Sequence, residues 1–347
     1  MSSEERKLAT IRVIDDLRPI EGADRIELAI VDGWQVVVQK GYNIGDKVIY
    51  AEIDSWIPTK IAPFLSRGGS PKVFRGLEGN RLKTIKLKGV VSQGLILPIK
   101  ETLELDYEVP DCFVPEVGAD VTGLLGIIKY EKEIPAGLAG TARGNFPNFV
   151  PKTNQERIQN SWKYLRDDDF AQEWMVTEKL DGSSMTVYLK DGVFGVCSRN
   201  IDLKEDETNS FWKAARKYDL EAKLRAFFDE TGCQIALQGE LVGPGIQSNP
   251  YHLKEQEFYV FNVYDIDAQG YLDAENTTWL VEEKLLLPLV PVVGIVTLPV
   301  YLESILSVAE GQSQLNNGVD REGLVFHRKD GRNSFKAISN KWLLAND

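Results

Sequence analysis

The sequence predicts an α+β protein in two parts, a small antiparallel β-barrel at the N-terminus and a larger domain of antiparallel sheets and helices after it. Three observations lead there. From Leu8 to about Ile99 the chain is a succession of short strand-like runs split by turn signals. Residues 100–150 carry many Pro and Gly and little regular pattern, and from Glu173 onward strand-like runs alternate with only a few helical ones. With 347 residues the chain can form two domains of ordinary size whose cores need no covalent staples. The expected division is 1–125 for the barrel, 126–150 for a linker and 151–347 for the second domain.

The barrel strands are read in LATIRVI, RIELAIV, WQVVVQ, KVIYAEI, RLKTIKL and GLILPI, with breaks at Asp32-Gly33, NIGD (43–46) and FLSRGGSPKVFRG (64–76). At Thr153 the sequence Thr-Asn-Gln-Glu has the form of a capping box, predicting a helix whose Ile158, Trp162 and Leu165 share one face. Beyond it, EWMVTEKL, SMTVYLK, VFGVCSR, QIALQGELV, EFYVFNVYDI, GLVFHR and SFKAI read as strands. Helices are expected over 208–230, 278–287 and 300–310, with Gly232 and Gly311 as stops. Asp181-Gly182 and Asp191-Gly192 both have the form of a tight hairpin turn.

Composition narrows the function classes. Cys112, Cys197 and Cys233 are widely spaced and odd in number, so neither a disulfide framework nor a Cys-x-x-Cys metal site is expected, and a reducing intracellular compartment, cytoplasmic or nuclear, fits. With only His252 and His327, a tightly held transition metal is not expected; a hard cation such as Mg²⁺ or Mn²⁺ on carboxylates is. No run approaches the roughly 20 apolar residues of a membrane span, so a soluble protein without membrane contact, with a monomer favoured, is the expectation. A net charge of −12 argues against indiscriminate nucleic-acid binding but leaves room for a local basic surface. Arg67, Lys72 and Arg75 in one loop and Arg81, Lys83, Lys86 and Lys88 on the following strand are such a candidate, the alternative being a solvated edge that discourages aggregation.

In VTEKLDGSSMTVY (176–188), Lys179 stands just ahead of Asp181-Gly182, a pattern that alone arises by chance in about one chain in ten of this length. Polar residues then recur at strand ends: Arg199, Glu240 in GELVGPGIQ, Arg321 and Glu322 in REGLVF, and Lys336 in SFKAIS. The order Lys179, Glu240 after 61 residues, Glu322 after 82 more and Lys336 after 14 more is far rarer than any of its pieces.

Together, EKLDG, GELVGPGIQ, FYVFNVYD, EGLVF and SFKAIS resemble the ordered motifs of the lysine-adenylating nucleotidyltransferases, the superfamily of RNA and DNA ligases and capping enzymes. PIEGADRIELAIVDGW, GYNIGDKVIYAEIDSWIP and IKLKGVVSQGLILP resemble an OB-fold attached to RNA-handling proteins. An OB-fold before the catalytic domain, with 11 residues after Lys336, is most similar to the Naegleria/Deinococcus-type RNA ligases; capping guanylyltransferases and DNA ligases carry an OB domain after the catalytic one.

The resemblance implies an adenylyltransferase domain whose Lys179 takes AMP from ATP, passes it to a 5′-phosphate end and lets a 3′-hydroxyl seal the break, with RNA or an RNA-containing duplex as partner. It implies Lys179 and Lys336 as catalytic residues, and Asp181, Glu240 and Glu322 as carboxylates for Mg²⁺ or Mn²⁺. A neighbouring cation, metal or Lys336, is expected to lower the Lys179 pKa. It further implies Phe261 as a face for adenine, backbone groups of Thr177 and Glu178 as readers of its edge, Glu240 on the ribose, and Arg199 and Arg157 on phosphates. Phe261 as core, Arg157 as a surface helix residue and Arg321/Glu322 as a solvated pair stay open. Many relatives carry Lys-x-Lys in the last motif; here Ile338 follows Lys336-Ala337, and another cation such as Arg199 would have to supply that charge. A GTP-using capping enzyme and a non-catalytic RNA-binding protein with a decayed domain are the alternatives.

Overall fold

The structure, a computed structural model, describes residues 6–66, 69–70, 72–104, 114–131 and 141–346. Arg67, Cys112 and part of the expected linker lie outside the described residues. The chain divides into two compact units, Met1–Glu133 with Leu343–Asp347, and Ile134–Trp342.

In the first unit, Lys47–Ala51 runs between Ala9–Val13 and Leu95–Pro98, antiparallel to both. Strand alternation puts Ile11, Ile49 and Leu97 in line across this sheet, where they form a core with Ile57, Val121, Leu125 and Ile127. A meander of Asp16–Pro19, Ile26–Val31 and Trp34–Gln39 and a sheet through Ser55–Pro58 and Leu77–Arg81 complete the strands around it. The break expected at Asp32-Gly33 is a two-residue hairpin connection in which Asp32 takes φ 51°. Arg12, on the opposite face from Ile11, is buried; it bonds Thr10 and Asp32 and lies over the Tyr50 ring. Of the basic candidates, Arg81 is tied to Asp54 and lies over Tyr130, whereas Lys72, Arg75, Lys83, Lys86 and Lys88 are exposed.

The stretch expected as a linker is not free chain throughout. Ile128–Lys129 adds to Ser55–Pro58, and Ala142–Asn145 adds to Ile201–Leu203. Neither piece has a hydrophobic period of its own, because each is made by pairing to the edge of an existing sheet.

Two antiparallel sheets build the second unit. The larger has seven strands, with Ser183–Lys190 and Ile235–Val242 at its centre and Glu257–Asp265 beside them. Helices Ser210–Lys217 and Leu220–Thr231 cover one face through Trp212, Leu220 and Leu224 against Met185, Val187, Leu237 and Phe258. The single helix expected over 208–230 is thus two, broken at Asp219 with φ 51°, and Gly232 ends the second with φ 74°. The helix expected over 278–287 is observed as Ala274–Thr278 continuing into a π-helical turn, Trp279–Lys284. That expected over 300–310 is observed as Leu302–Ala309.

The smaller sheet has the order Val292–Thr297, Glu173–Lys179, Gly323–Arg328, Ser334–Ile338. Register assigns its faces: Trp174, Val176, Leu324, Phe326, Phe335 and Ala337 point one way, and Thr177, Lys179, Val325 and Lys336 the other. The first face packs on Leu302, Ile305, Ala309 and Ile158, with Phe326 and Phe335 stacked at 4.9 Å.

The capping box at Thr153 does not open a helix. The helix is Ile158–Ser161 with Arg157 at its N-cap, and residues 151–156 precede it without regular structure. Arg157 instead bridges Lys336 in parallel, and the Lys336 amide donates to the Glu156 carbonyl at 2.8 Å. Pairing to a sheet edge overrides the local signal, while the apolar stripe survives: Ile158 is in the core and Trp162 and Leu165 pack on it.

Candidate active site

Lys179 is the last residue of its strand, on the face away from the core, and its Nζ donates to Glu322 Oε2 at 2.6 Å. Glu322 stands immediately before Gly323, the residue in register with Lys179, and its carbonyl accepts from the Ser339 amide at 2.9 Å. A Cβ on Gly323 would come within 2.3 Å of the Ala337 carbonyl oxygen, so only glycine lets the last strand lie this close.

The second sheet brings the remaining carboxylate. Glu240 pairs with Ser184 and shares a face with Gln238 opposite the helices, and Gly182 allows the approach: a Cβ there would lie 2.4 Å from the Leu241 carbonyl and 3.0 Å from the Glu240 Cγ. Gly182 is therefore a close-approach glycine. By contrast, Asp191-Gly192, with φ 49° and 75°, is the left-handed pair of a two-residue hairpin.

Charges couple these groups. Burial alone would lower the Lys179 pKa, but Glu322, Glu240 and Asp181 hold it above the ordinary lysine value. Burial pushes Glu240 up to about 8, with Lys179 and Arg199 opposing and Glu322 and Asp181 adding to the rise. The protein groups around the amine are thus anions, which favour its charged form, so Lys336 does not depress the lysine by itself. The same interactions place Lys179, Asp181, Glu240, Glu322 and Arg199 in one electrostatic cluster.

Lys336 lies on the Lys179 face, in register with Val325 and Thr177. Ile338, where many relatives have a second lysine, is buried and in register with Gly323. Arg157 is buried beside Lys336, so it is not a surface helix residue. Arg321 caps the C-terminal end of Leu302–Ala309 by donating to the Val308, Ala309 and Glu310 carbonyls, so it is not a solvated partner of Glu322.

Phe261 is the extra residue of a β-bulge, opposite the step where Gln238 pairs with Asn262 and Gly239 with Val260. Alternating with Phe258 and Val260, which face the helices, it lies with Tyr259 on the other face, toward Leu180, Tyr251 and Val290, where it is only partly buried; the bulge resets the phase so that Val263 faces the helices again. At Glu178 the amide donates to the Pro291 carbonyl at 2.8 Å. Its buried carboxylate accepts from the Gln314 amide at 2.7 Å, and burial raises its pKa. His327 is driven to about 4 by burial, in keeping with a structural role. Cavities of about 280 and 400 Å³ against the helix pair 210–231 contain none of the expected site residues.

Sequence reasoning missed Tyr251, whose hydroxyl accepts from the Asp181 amide at 2.6 Å. The one signal was an aromatic in the loop GPGIQSNPY, where turn chemistry needs none.

Residues 172–338 match the RNA ligase family and residues 8–99 an OB-fold domain family. Three of the most similar solved structures are point mutants of Naegleria gruberi RNA ligase. An apo form is 42% identical with TM-score 0.89, over 98% of each chain. A form with AMP and Mn is 43% identical with TM-score 0.89, over 98% of this chain and 99% of that one. A form with ATP and Mn is 43% identical with TM-score 0.88, over the same shares. Curated proteins give no significant match. An OB-fold domain followed by a domain of antiparallel sheets and helices that carries the ligase motifs defines the class, a nucleic-acid ligase. With more than 40% identity across nearly the whole length, the chain belongs to the RNA ligase family.

Proposed function

We propose that this protein is an ATP-dependent RNA ligase that works through a lysyl-AMP intermediate and seals 3′-hydroxyl/5′-phosphate breaks, with nicks in duplexes bearing an RNA 3′-hydroxyl as the preferred substrate. The observation that carries the reading is the Lys179–Glu322 pair at 2.6 Å, set among Glu240 and Asp181. A lysine amine is a competent nucleophile toward the α-phosphorus once it loses its proton, and Glu322 is within hydrogen-bond distance to take it. The P–N bond forms as the bond to the β-phosphate oxygen breaks, and pyrophosphate leaves. Lys336 and Arg157, side by side, supply positive charge for the phosphate oxygens. Phe261 offers its ring to adenine and Glu240 accepts from the ribose. The AMP then passes to a 5′-phosphate end, and a 3′-hydroxyl displaces it to close the backbone.

The acidic surroundings of Lys179 fit a divalent cation, Mg²⁺ or Mn²⁺, near Asp181, Glu240 and Glu322. Among the described residues no three His, Cys, Asp or Glu side chains converge as direct ligands, so these carboxylates would hold it mainly through its waters. When bound, that ion supplies the positive charge that lowers the lysine pKa. The OB-fold unit contributes exposed Lys83, Lys86 and Lys88 for the strand backbone. Among the described residues no helix is long and apolar enough to cross a membrane.

The test is incubation with α-labelled ATP or GTP and Mg²⁺. An acid-labile covalent label from ATP, lost in Lys179→Ala, is expected. Label from GTP would mean a capping-type enzyme, and no label a binding protein with a decayed domain. Nicked duplexes that differ only in ribose or deoxyribose at the 3′-hydroxyl end then decide the substrate.

A further inference from the structure

The segment between Ile235–Val242 and Glu257–Asp265 is bent unusually tightly. Gln247, Asn249 and His252 all take left-handed backbone conformations, φ 46°, 48° and 54°, without being glycine. Such residues persist only where surrounding contacts hold them, and here the Asn249 side chain accepts from the Leu253 amide and donates to its carbonyl. The bends deliver two side chains to the peptide units just after Lys179. Gln247 Nε2 donates to the Gly182 carbonyl at 3.1 Å, and the Tyr251 hydroxyl accepts from the Asp181 amide at 2.6 Å.

Tyr251 is only 2% exposed, with its ring against Leu180, Val242 and Val290. A second loop grips it from behind. Asn316 Nδ2 donates to the Tyr251 carbonyl at 3.1 Å, and two residues earlier the Gln314 amide holds the Glu178 carboxylate. Lys179 is therefore braced on both flanks, through Glu178 before it and through Asp181 after it, by hydrogen bonds that meet in the segment 314–316.

We propose that Tyr251 is a positioning residue for the nucleophile: its phenolic oxygen, by receiving the Asp181 amide, sets the path of Lys179-Leu180-Asp181 where the two sheets meet, and so aims the Lys179 amine. The proposal rests on the reading of Lys179 as the nucleophile. Burial and the neighbouring carboxylates Glu322 and Glu178 raise the phenol pKa, which keeps the hydroxyl neutral as an acceptor. Phenylalanine would fill the same space but take this acceptor from a partly buried amide, and the turn would rearrange to satisfy it. A displacement of about 1 Å in an attacking group costs on the order of 100-fold in rate.

The experiment is single-turnover labelling of the full chain with α-labelled ATP at varied ATP concentration. In Tyr251→Phe the labelling rate constant is expected to fall about 10- to 100-fold, with the half-saturating ATP concentration and the unfolding midpoint near wild type. Asn316→Ala should move the same quantity in the same direction by less. Amide hydrogen exchange supplies the readout independent of chemistry: the Asp181 amide should lose protection in Tyr251→Phe while the strand Ser183–Lys190 keeps it. Labelling at the wild-type rate, an unchanged Asp181 amide, or a rate loss that only follows the unfolded fraction would overturn the proposal. Wild-type protein that takes no label at all would instead remove the nucleophile reading beneath it.

Discussion

The two faces of the four-stranded sheet are made by the same strands, one residue out of step, and they do different work. On one face Trp174, Val176, Phe326, Phe335 and Ala337 are at most 2% exposed and pack against a helix. On the other, Lys179, Val325 and Lys336 are only partly buried, and the lysine is surrounded by carboxylates. Strand alternation thus lets a rigid apolar layer hold charged groups whose mutual repulsion and desolvation would not by themselves favour a compact state. Removing a side chain from the first face should cost the fold, and removing one from the second should cost the chemistry.

The largest expected effect on the chemistry is on the site face. Lys336→Ala should lower the labelling rate by about 100- to 1,000-fold, as loss of a charge-stabilising donor does, with the urea midpoint unchanged; a variant that unfolds early would break the division of labour. Next comes the core face. Phe326→Ala should cost about 3–5 kcal/mol in urea unfolding, yet the folded molecules should label at the wild-type rate when assayed at low temperature. The smallest effect concerns His327, on the site face but neutral because of burial. Its folded pKa, about 4, lies below the ordinary 6.5, so the unfolded chain takes up a proton first. Stability should therefore fall as the pH drops from 6.5 through 4, by at most about 3 kcal/mol. Urea midpoints across that range should be flatter for His327→Gln, and an identical slope would mean that another group is responsible.

Much of this arrangement was legible in the sequence, and the failures share a cause. The strands carrying Lys179, Glu240 and Lys336, and the one that Glu322 precedes, were readable because each is a short run rich in β-branched, aromatic and other apolar residues. Thr153 misled because its capping signal is local, whereas Glu156 and Arg157 are held by a strand more than 170 residues away. Asp181-Gly182 and Asp191-Gly192 are the same dipeptide, and only the second is the hairpin turn that the letters suggest; the first has its glycine because Glu240's strand passes close by. The charge around the lysine was not legible for a related reason: the sequence contains both anions and cations, and distance alone says which of them face the amine.

By itself the sequence determined the two-part α+β organisation, the strand runs and the chemical kinds of side chain at the strand ends, because these depend on short-range pattern and composition. Only the tertiary structure decided that Lys179 pairs with Glu322, that Phe261 faces Leu180, Tyr251 and Val290 and not the helix-packed core, and that Tyr251 holds the Asp181 amide. Each of these depends on register and close approach between segments tens to hundreds of residues apart, which no local pattern encodes.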